Sequence, residues 1–281
     1  MSSIQNKIYT TEEILKDLDN HIKNKLPFST IRFGDAVYGM LASYLCPDVI
    51  DKDKWKMPRG KKIADSIMGQ LTIPSDTRMD MIKRVAIAAD NANYCDSYIA
   101  YSLLNSAKGV GVIGKKWKEI HEGSGITNDK YCNCFLHYFS IVEGELNLFD
   151  IMKNRKIFCI SNQVQITDRL KTKSQAHTID SYKIPRRGRK GEHYRKHYKK
   201  IMGIIRKNSK MYDLFLIGAG FLGKIYCDEV KRCGGRSFDS GRLFDFWGGL
   251  RTIDSRPKRF VKMNTTKMLA ERIKNHPSGV W

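Results

Sequence analysis

One apolar strand followed by a glycine turn constrains the fold of this chain more than any other feature. The stretch DLFLIGAGFLGKIYCDEV, residues 213–230, runs from an apolar segment into Gly218-Ala-Gly220-Phe-Leu-Gly223 and then into a predicted helix. In doubly wound α/β folds such a turn lies at the carboxyl end of a parallel strand, where ligands bind. The stretch therefore predicts a strand–turn–helix unit that borders a ligand crevice.

Strands and helices alternate along the rest of the chain. FSTIRFGDAVYGMLASYL (28–45) predicts a strand, a tight turn at Gly34-Asp35 and an apolar helix, and RKIFCISN (155–162) predicts a strand that is apolar on both faces. We predict an α/β, Rossmann-like fold with a mostly parallel sheet flanked by helices. The carboxyl ends of its strands would bring Gly34-Asp35, Ser161-Asn162 and Gly218–Gly223 to one rim.

We expect one domain over residues 1–281, with a core at about 25–250, a helical N-terminus and a basic C-terminal extension. No apolar run approaches the ~18 residues of a membrane span, and MSSIQNKIYTTEEI lacks the apolar region of a signal peptide. The 7 cysteines are scattered without a CxxC pair or zinc-finger spacing, which is typical of buried, reduced thiols. We therefore predict a cytoplasmic protein with no transmembrane segment.

The charge of the chain indicates an anionic partner. Lys and Arg number 50 against 29 Asp and Glu, a formal net charge of +21. Nucleotide phosphates, nucleic acid, acidic glycans and a membrane surface all fit this excess. Residues 183–210 are the densest stretch and contain Glu192 as their one acid. A solvated basic helix explains them equally well. Aromatic residues for base stacking are few, so we do not expect nucleic acid as the partner, although the charge does not exclude it.

The glycine turn alone does not identify the ligand. Asp239 follows it at about the distance of a ribose-binding carboxylate in a dinucleotide enzyme. However, only about 60 residues follow the turn, and no His with a paired acid suggests hydride transfer. We keep an NAD-dependent oxidoreductase as an alternative but expect no NAD. His193 and His197 lie four residues apart without a third ligand nearby, so we predict no zinc there.

A resemblance to a known family covers roughly residues 25–250. STIRFGDAVYGML (29–41) resembles the Arg-Phe-Gly-Asp-Gly-Glu signature of GT-D-type glycosyltransferases. The segments at 73–95, 156–163 and 214–249 are similar to the helix, the middle strand and the closing strand–helix–strand of that family. The resemblance implies a hexosyl- or pentosyltransferase that moves a sugar from a nucleoside diphosphate donor, with a UDP-sugar favoured, to a carbohydrate or glycosylated-protein acceptor in glycan biosynthesis.

The reaction then suggests roles for individual residues. A departing diphosphate needs its charge stabilised, and an attacking hydroxyl needs a base. We predict Asp35 and Asp245 as catalytic residues and Trp247 as an acceptor-binding residue. The predicted donor-binding residues are Arg32, Gly34, Ser161, Asn162, Arg186, Arg187, Gly218, Gly220 and Asp239.

Each of these roles has a structural alternative. Arg32 and Asp35 pair with each other or cap the helix in that alternative, and Asp245 pairs with Arg242 or Arg251. Trp247 beside two glycines then packs in the core, and Asp239 caps the turn that follows it.

A departure from the family signature concerns the metal. The Asp-Gly-Glu of the signature reads Asp35-Ala36-Val37 here, so the second carboxylate is absent. Mg²⁺ and Mn²⁺ prefer oxygen ligands, and the loss of an anionic one weakens a site. We therefore predict that Asp35 contributes to at most a weak Mg²⁺ or Mn²⁺ site, and that metal dependence is weak or dispensable.

Overall fold

A parallel sheet of eight strands forms the centre of the molecule in the computed structural model, which describes residues 8–47, 66–97, 118–133, 146–185, 192–241 and 243–247. The sheet order is β1-β4-β3-β2-β8-β7-β5-β6, and every strand pair is parallel. This confirms the predicted α/β fold. The strands are β1 (Ile8–Tyr9), β2 (Phe28–Phe33), β3 (Tyr94–Ser97), β4 (Tyr131–Asn133), β5 (Lys156–Ser161), β6 (Thr178–Lys183), β7 (Leu214–Gly218) and β8 (Arg236–Asp239).

Helices cover both faces of the sheet. They are α1 (Thr11–Lys23), α2 (Asp35–Leu45), α3 (Arg78–Asn91), α4 (Leu148–Met152), α5 (Thr167–Ser174), α6 (Lys199–Asn208), α7 (Gly220–Arg232) and α8 (Leu243–Trp247). Helical turns also lie at Ser75–Thr77, Val164–Ile166 and His193–Tyr198, the last of π type, and residues 66–70 and 118–123 are helical.

Alternation along the strands explains why two cores form. In β7, Phe215 and Ile217 join the core under α2, α3, α6 and α7, whereas Leu214 and Leu216 join the core under α1, α4, α5 and α8. Successive side chains of a strand point to opposite faces, so a strand with apolar residues at every position needs helices on both sides. The sequence of β7 therefore requires its central place in the sheet.

The described cysteines are free thiols, as their scattered spacing predicted. Five are buried and Cys233 is half-buried. Within the described ranges, no helix is long and apolar enough to cross a membrane. The predicted basic C-terminal extension lies outside the described residues.

Candidate active site

Four adjacent strands end beside one another at the carboxyl edge of the sheet. β2, β8, β7 and β5 are consecutive in the sheet order. The register pairs Ser161 with Gly218 and Ile217 with Asp239, so the ends of β5, β7 and β8 are level. Ligands of open α/β sheets bind in the crevice beyond these ends. The structure therefore brings the segments that begin at Gly34, Ser161 and Gly218 to one rim, as predicted, and the end of β8 at Asp239 lies beside them.

Arg32 crosses this rim between two glycine turns. A Cβ added at Gly241 would lie 3.0 Å from Cδ of Arg32, and one added at Gly34 would lie 3.9 Å from its Nη1. Gly241 also has a φ of +52°, which side-chain-bearing residues rarely adopt. Gly241 therefore leaves room for the arginine side chain, whereas a Cβ at Gly34 would be only in ordinary contact with it. Arg32 is half-buried beside the crevice. A planar cation in this position suits a phosphate ligand.

Two helices begin at the same rim without a side-chain cap. Gly34 precedes α2 and Ala219 precedes α7, and neither helix start has a capping hydrogen bond from a side chain. The first N–H groups of a helix lack partners inside it and carry partial positive charge. Together with Arg32, the two helix starts make the rim electropositive and suited to a diphosphate.

Asp239 lies below the rim and is fully engaged by protein groups. Its Oδ2 accepts hydrogen bonds from Nζ of Lys224 at 2.8 Å and from the backbone N–H of Arg32 at 3.1 Å. Its Oδ1 accepts from the N–H of Gly241 at 3.1 Å. The side chain of Asp239 is 1% exposed. The structure thus places this predicted donor-binding residue beneath Arg32, where it positions the rim.

Lys224 lies at the candidate site as the ion-pair partner of Asp239, and the sequence analysis did not identify it. It lies one turn into α7, and its Nζ also donates to the carbonyl of Gly220 at 3.0 Å. A lysine four residues after the second glycine of the turn was the available signal. That signal is weak because the partner carboxylate comes from β8.

The glycines of the turn after β7 serve different purposes. A Cβ at Gly218 would lie 2.7 Å from Cδ2 of Phe244, so this glycine allows α8 to pack on the strand end. Gly220 has a φ of +60° and open space around its Cα. Of the two predicted donor-binding glycines, Gly220 is therefore the one whose backbone is accessible to a ligand.

Ser161 and Asn162 end β5 at the rim but differ in exposure. Ser161 is buried, and its hydroxyl accepts a hydrogen bond from the N–H of Gln163 at 3.2 Å, which fixes the turn. Asn162 is half-buried at the crevice. Of this pair, Asn162 has the side chain that a ligand reaches.

The predicted acceptor residues lie on α8. Trp247 is buried, with ring centroids 5.5 Å from Phe244 and 6.0 Å from Phe149, and Asp245 is half-buried. Trp247 also lines a cavity of about 410 Å³ between α8 and α5. Trp247 therefore packs in the core, as the structural alternative predicted, and one edge of its ring also borders a cavity. The remaining lining residues are Ile166, Asp168, Arg169, Leu170, Thr172 and Lys173.

The described residues do not fit a divalent metal. Val37 belongs to the apolar core, and Asp239 already accepts three hydrogen bonds. Among the described residues, no three His, Cys, Asp or Glu residues cluster as a metal site. Asp35 is the first residue of α2, and its side chain is outside the description.

His193 and His197 each lie within hydrogen-bond distance of a tyrosine hydroxyl. Nε2 of His193 lies 3.2 Å from the Tyr226 hydroxyl, and Nδ1 of His197 lies 3.0 Å from the Tyr182 hydroxyl. Burial, with a smaller contribution from His197, lowers the pKa of His193 to about 4. Arg186 and Arg187 lie outside the described residues, so their contact with the donor stays a prediction.

The chain is similar to one family model and to two solved structures. A family model described as a GT-D fold-like domain matches residues 9–247. Two solved structures are similar, each with a TM-score of 0.44 over 85% of this chain and 79% of the other. One, at 14% identity, is a selenomethionine-substituted domain of unknown function 1792. The other, at 15%, is described as that highly conserved domain with a distinct glycosyltransferase fold. No curated protein matches this chain significantly.

Proposed function

The chain belongs to the GT-D-like family, and from this membership we propose that it is a glycosyltransferase whose donor is a nucleoside diphosphate sugar, with a UDP-sugar favoured. The observation that supports the donor class most is the position of Arg32. Its guanidinium crosses the rim between Gly34 and Gly241, beside the uncapped starts of α2 and α7. Charge builds up on the diphosphate as the sugar leaves, and preorganised donors at that point lower the barrier.

In the proposed reaction an acceptor hydroxyl attacks the anomeric carbon as the bond from that carbon to the diphosphate oxygen breaks. Asp35 at the rim, or Asp245 on α8, takes the proton of the attacking hydroxyl. Arg32 and the first N–H groups of α2 and α7 hold the departing diphosphate. Asn162 lies on the same rim and is available to the ribose or the sugar.

A carbohydrate or glycosylated protein is the acceptor in this proposal. The cavity between α5 and α8 combines the apolar surfaces of Ile166, Leu170 and Trp247 with polar groups on α5. Sugars offer both apolar C–H faces and hydroxyls, so a mixed lining of this kind suits them.

Metal dependence is proposed to be weak or dispensable. Arg32 and the helix starts supply positive charge where a metal would otherwise stabilise the diphosphate. The second carboxylate of the family signature is Val37 here, and its side chain is in the core.

The engagement of Asp239 counts against the alternative of a dinucleotide enzyme. A ribose-binding carboxylate needs free oxygens at the crevice, whereas both oxygens of Asp239 accept hydrogen bonds from protein groups. No observation favours NAD over a nucleotide sugar at this rim.

A thermal-shift panel tests the donor class. The ligands are UDP-sugars, GDP-sugars, NAD, NADP and an oligonucleotide. A ligand at ~100 times its dissociation constant adds about 2.7 kcal/mol to stability, which gives a clear shift. We expect UDP or a UDP-sugar to stabilise the protein and NAD to have no effect. Stabilisation by NAD alone would overturn the proposal.

Two arginine variants make the panel specific to the site. Arg32→Gln should lose the UDP shift because it removes the guanidinium at the rim. Arg232→Gln is the matched control, since Arg232 is exposed at the far end of α7 and should leave the shift unchanged. A shift that survives in Arg32→Gln would contradict the assigned donor site.

A further inference from the structure

The outward face of α6 and of the turn before it is densely basic. Positions three or four residues apart lie on one side of a helix, and the exposed positions here follow that spacing. Opposite them, Ile201, Met202 and Ile205 pack into the core. We call the exposed cations the basic face; they are Arg195, Lys196, Lys199, Lys200, Arg206, Lys207 and Lys210.

Most of this charge is not neutralised by neighbouring acids. Lys196 pairs with Glu192, and Arg206 pairs with Glu229 at 2.6 Å. The other five cations form no ion pair with an acid in the part of the chain that the structure describes. From Lys199 to Lys207 the helix rises about 12 Å, so these cations lie within one or two Debye lengths of one another and act on the same partner.

The centre of the basic face carries a glycine that packing does not require. A Cβ at Gly203 would meet nothing within 4 Å. Glycine inside a helix costs roughly 0.5–1 kcal/mol relative to alanine. Because Gly203 has no side chain, nothing projects from the centre of the basic face, and a flat partner can approach the helix closely there. The neighbouring cations are Lys199, Lys200, Arg206 and Lys207.

An exposed apolar side chain borders the basic face. Met211 is 62% exposed and follows Lys210 directly. The phosphate backbone of a nucleic acid makes no favourable contact with an apolar methionine side chain. The basic face also has no exposed aromatic ring on which a base could stack. An anionic lipid surface accommodates both groups, because lysines bind its headgroups while a methionine reaches the boundary of the acyl chains.

We propose that the basic face, with Met211, docks the protein on an anionic membrane surface. The residues of this surface belong to α6 and the turns that flank it, and none of them is one of the rim residues Arg32, Gly34 and Asn162. The proposal is therefore independent of the donor assignment. Docking through the basic face would hold the enzyme where anionic lipids are abundant and would orient the sheet with one helical layer toward the bilayer.

Vesicle co-sedimentation tests this docking. The vesicles are phosphatidylcholine alone and phosphatidylcholine mixed with phosphatidylglycerol. We expect the parent to bind the anionic vesicles and not the neutral ones. Replacing Lys199, Lys200, Lys207 and Lys210 with Gln should weaken binding by at least about 100-fold, because each lysine near an anionic surface contributes about fivefold in affinity.

A matched variant separates this face from total charge. Lys23, Lys25, Lys153 and Lys171 are exposed lysines outside the basic face. Replacing all four with Gln removes the same charge and should leave vesicle binding within about twofold, since these lysines do not face the lipid. Equal loss in both variants, or no binding of the parent to anionic vesicles, would overturn the proposal.

The methionine distinguishes a membrane from a nucleic acid. Met211→Gln should weaken vesicle binding several-fold and leave binding to a duplex oligonucleotide unchanged. The membrane assignment would be overturned if Met211→Gln left vesicle binding unchanged and duplex DNA bound tightly through the same lysines. The thermal shift with UDP should persist in the variant without the four lysines of the basic face, so failure of the docking proposal and failure of the donor assignment give different results.

Discussion

Lys224 places its ammonium nitrogen 2.8 Å from Oδ2 of Asp239, and the two side chains are only 6% and 1% exposed. This pair joins α7 to the end of β8. The same carboxylate accepts the N–H groups of Arg32 and Gly241. One buried ion pair therefore fixes the relative positions of β2, β8 and α7 beneath the candidate donor site.

Lys224→Met should destabilise the protein by about 3 kcal/mol, because it leaves the Asp239 carboxylate buried without its cation. Urea unfolding measures the change. The matched control is Lys16→Met, which removes the exposed pair of Lys16 and Glu12, 62% and 40% exposed, and should cost less than about 1 kcal/mol. Similar losses of unfolding free energy in the two variants would show that the buried pair stabilises the protein no more than the exposed pair does.

Gly218→Ala should destabilise the protein by about 1–3 kcal/mol, since its Cβ would lie 2.7 Å from the Phe244 ring and force α8 to shift. Gly203→Ala is the control with the opposite sign. Its Cβ meets nothing within 4 Å, so the better helix propensity of alanine should add about 0.5–1 kcal/mol. Thermal unfolding of both variants checks the pair, and a neutral Gly218→Ala would contradict the packing argument.

Asp35→Asn should keep the fold and lower transfer activity by about 10²–10⁴-fold, because it removes the charge and nearly preserves the shape. Asp129→Asn, an exposed carboxylate just before β4, should keep full activity. Release of UDP in the presence of acceptor measures the rates. Full activity in Asp35→Asn would mean that this residue only begins the helix.

EDTA should leave most of the transfer activity of the parent, since Arg32 and the starts of α2 and α7 supply positive charge for the diphosphate and Val37 replaces the second carboxylate of the signature. Abolition by EDTA and full rescue at low Mn²⁺ would contradict this and indicate another ligand.

Val37→Glu restores the carboxylate of the family signature but buries it in the apolar core. We expect a loss of about 2 kcal/mol or more in unfolding free energy. Val37→Gln has nearly the same size without the charge. Mn²⁺ that stabilises the Glu variant and not the Gln variant would show that position 37 reaches a metal after all.

His193 should make stability depend on pH. Burial, with a smaller contribution from His197, lowers its pKa to about 4, whereas the unfolded residue titrates near 6.5. Between these values the unfolded chain binds a proton that the folded protein does not, so unfolding free energy falls as pH decreases from about 6.5 to about 4. The full loss is about 3 kcal/mol.

The comparison of His193→Gln with the parent isolates this contribution in urea titrations at several pH values. The variant should show a flatter dependence between pH 4 and 6.5. His177 is exposed, and His177→Gln should follow the parent. A parallel dependence in His193→Gln and the parent would show that His193 is not the group responsible.

The sheet and the rim were predictable because their signals are local. Apolar residues at successive positions of β5 and β7 indicate strands buried on both faces, and Gly34 and Gly218 mark turns directly after strands. The parallel direction then brings all carboxyl ends to one edge. The residues after those ends were therefore correctly expected to lie together.

The contacts that individual rim residues make were not predictable in this way. Asp239 was predicted either to contact the donor or to cap the next turn, and its carboxylate does accept the N–H of Gly241 in that turn. Its further contacts with Lys224 and the N–H of Arg32 were not foreseen. Gly218 was expected to serve the donor, and the structure places the Phe244 ring against it. Both outcomes depend on contacts between segments that no local pattern relates.

The sequence by itself indicated the strands β2, β5 and β7, the glycine turns at the ends of β2 and β7, and one strongly basic stretch. These properties depend on residues close together in the chain. Only the tertiary structure decided that β8 lies between β2 and β7, which puts Asp239 under Arg32 and beside Lys224. The physical reason is that strand order depends on the packing of the whole sheet, so a carboxylate at a strand end faces a ligand or a lysine according to its neighbours.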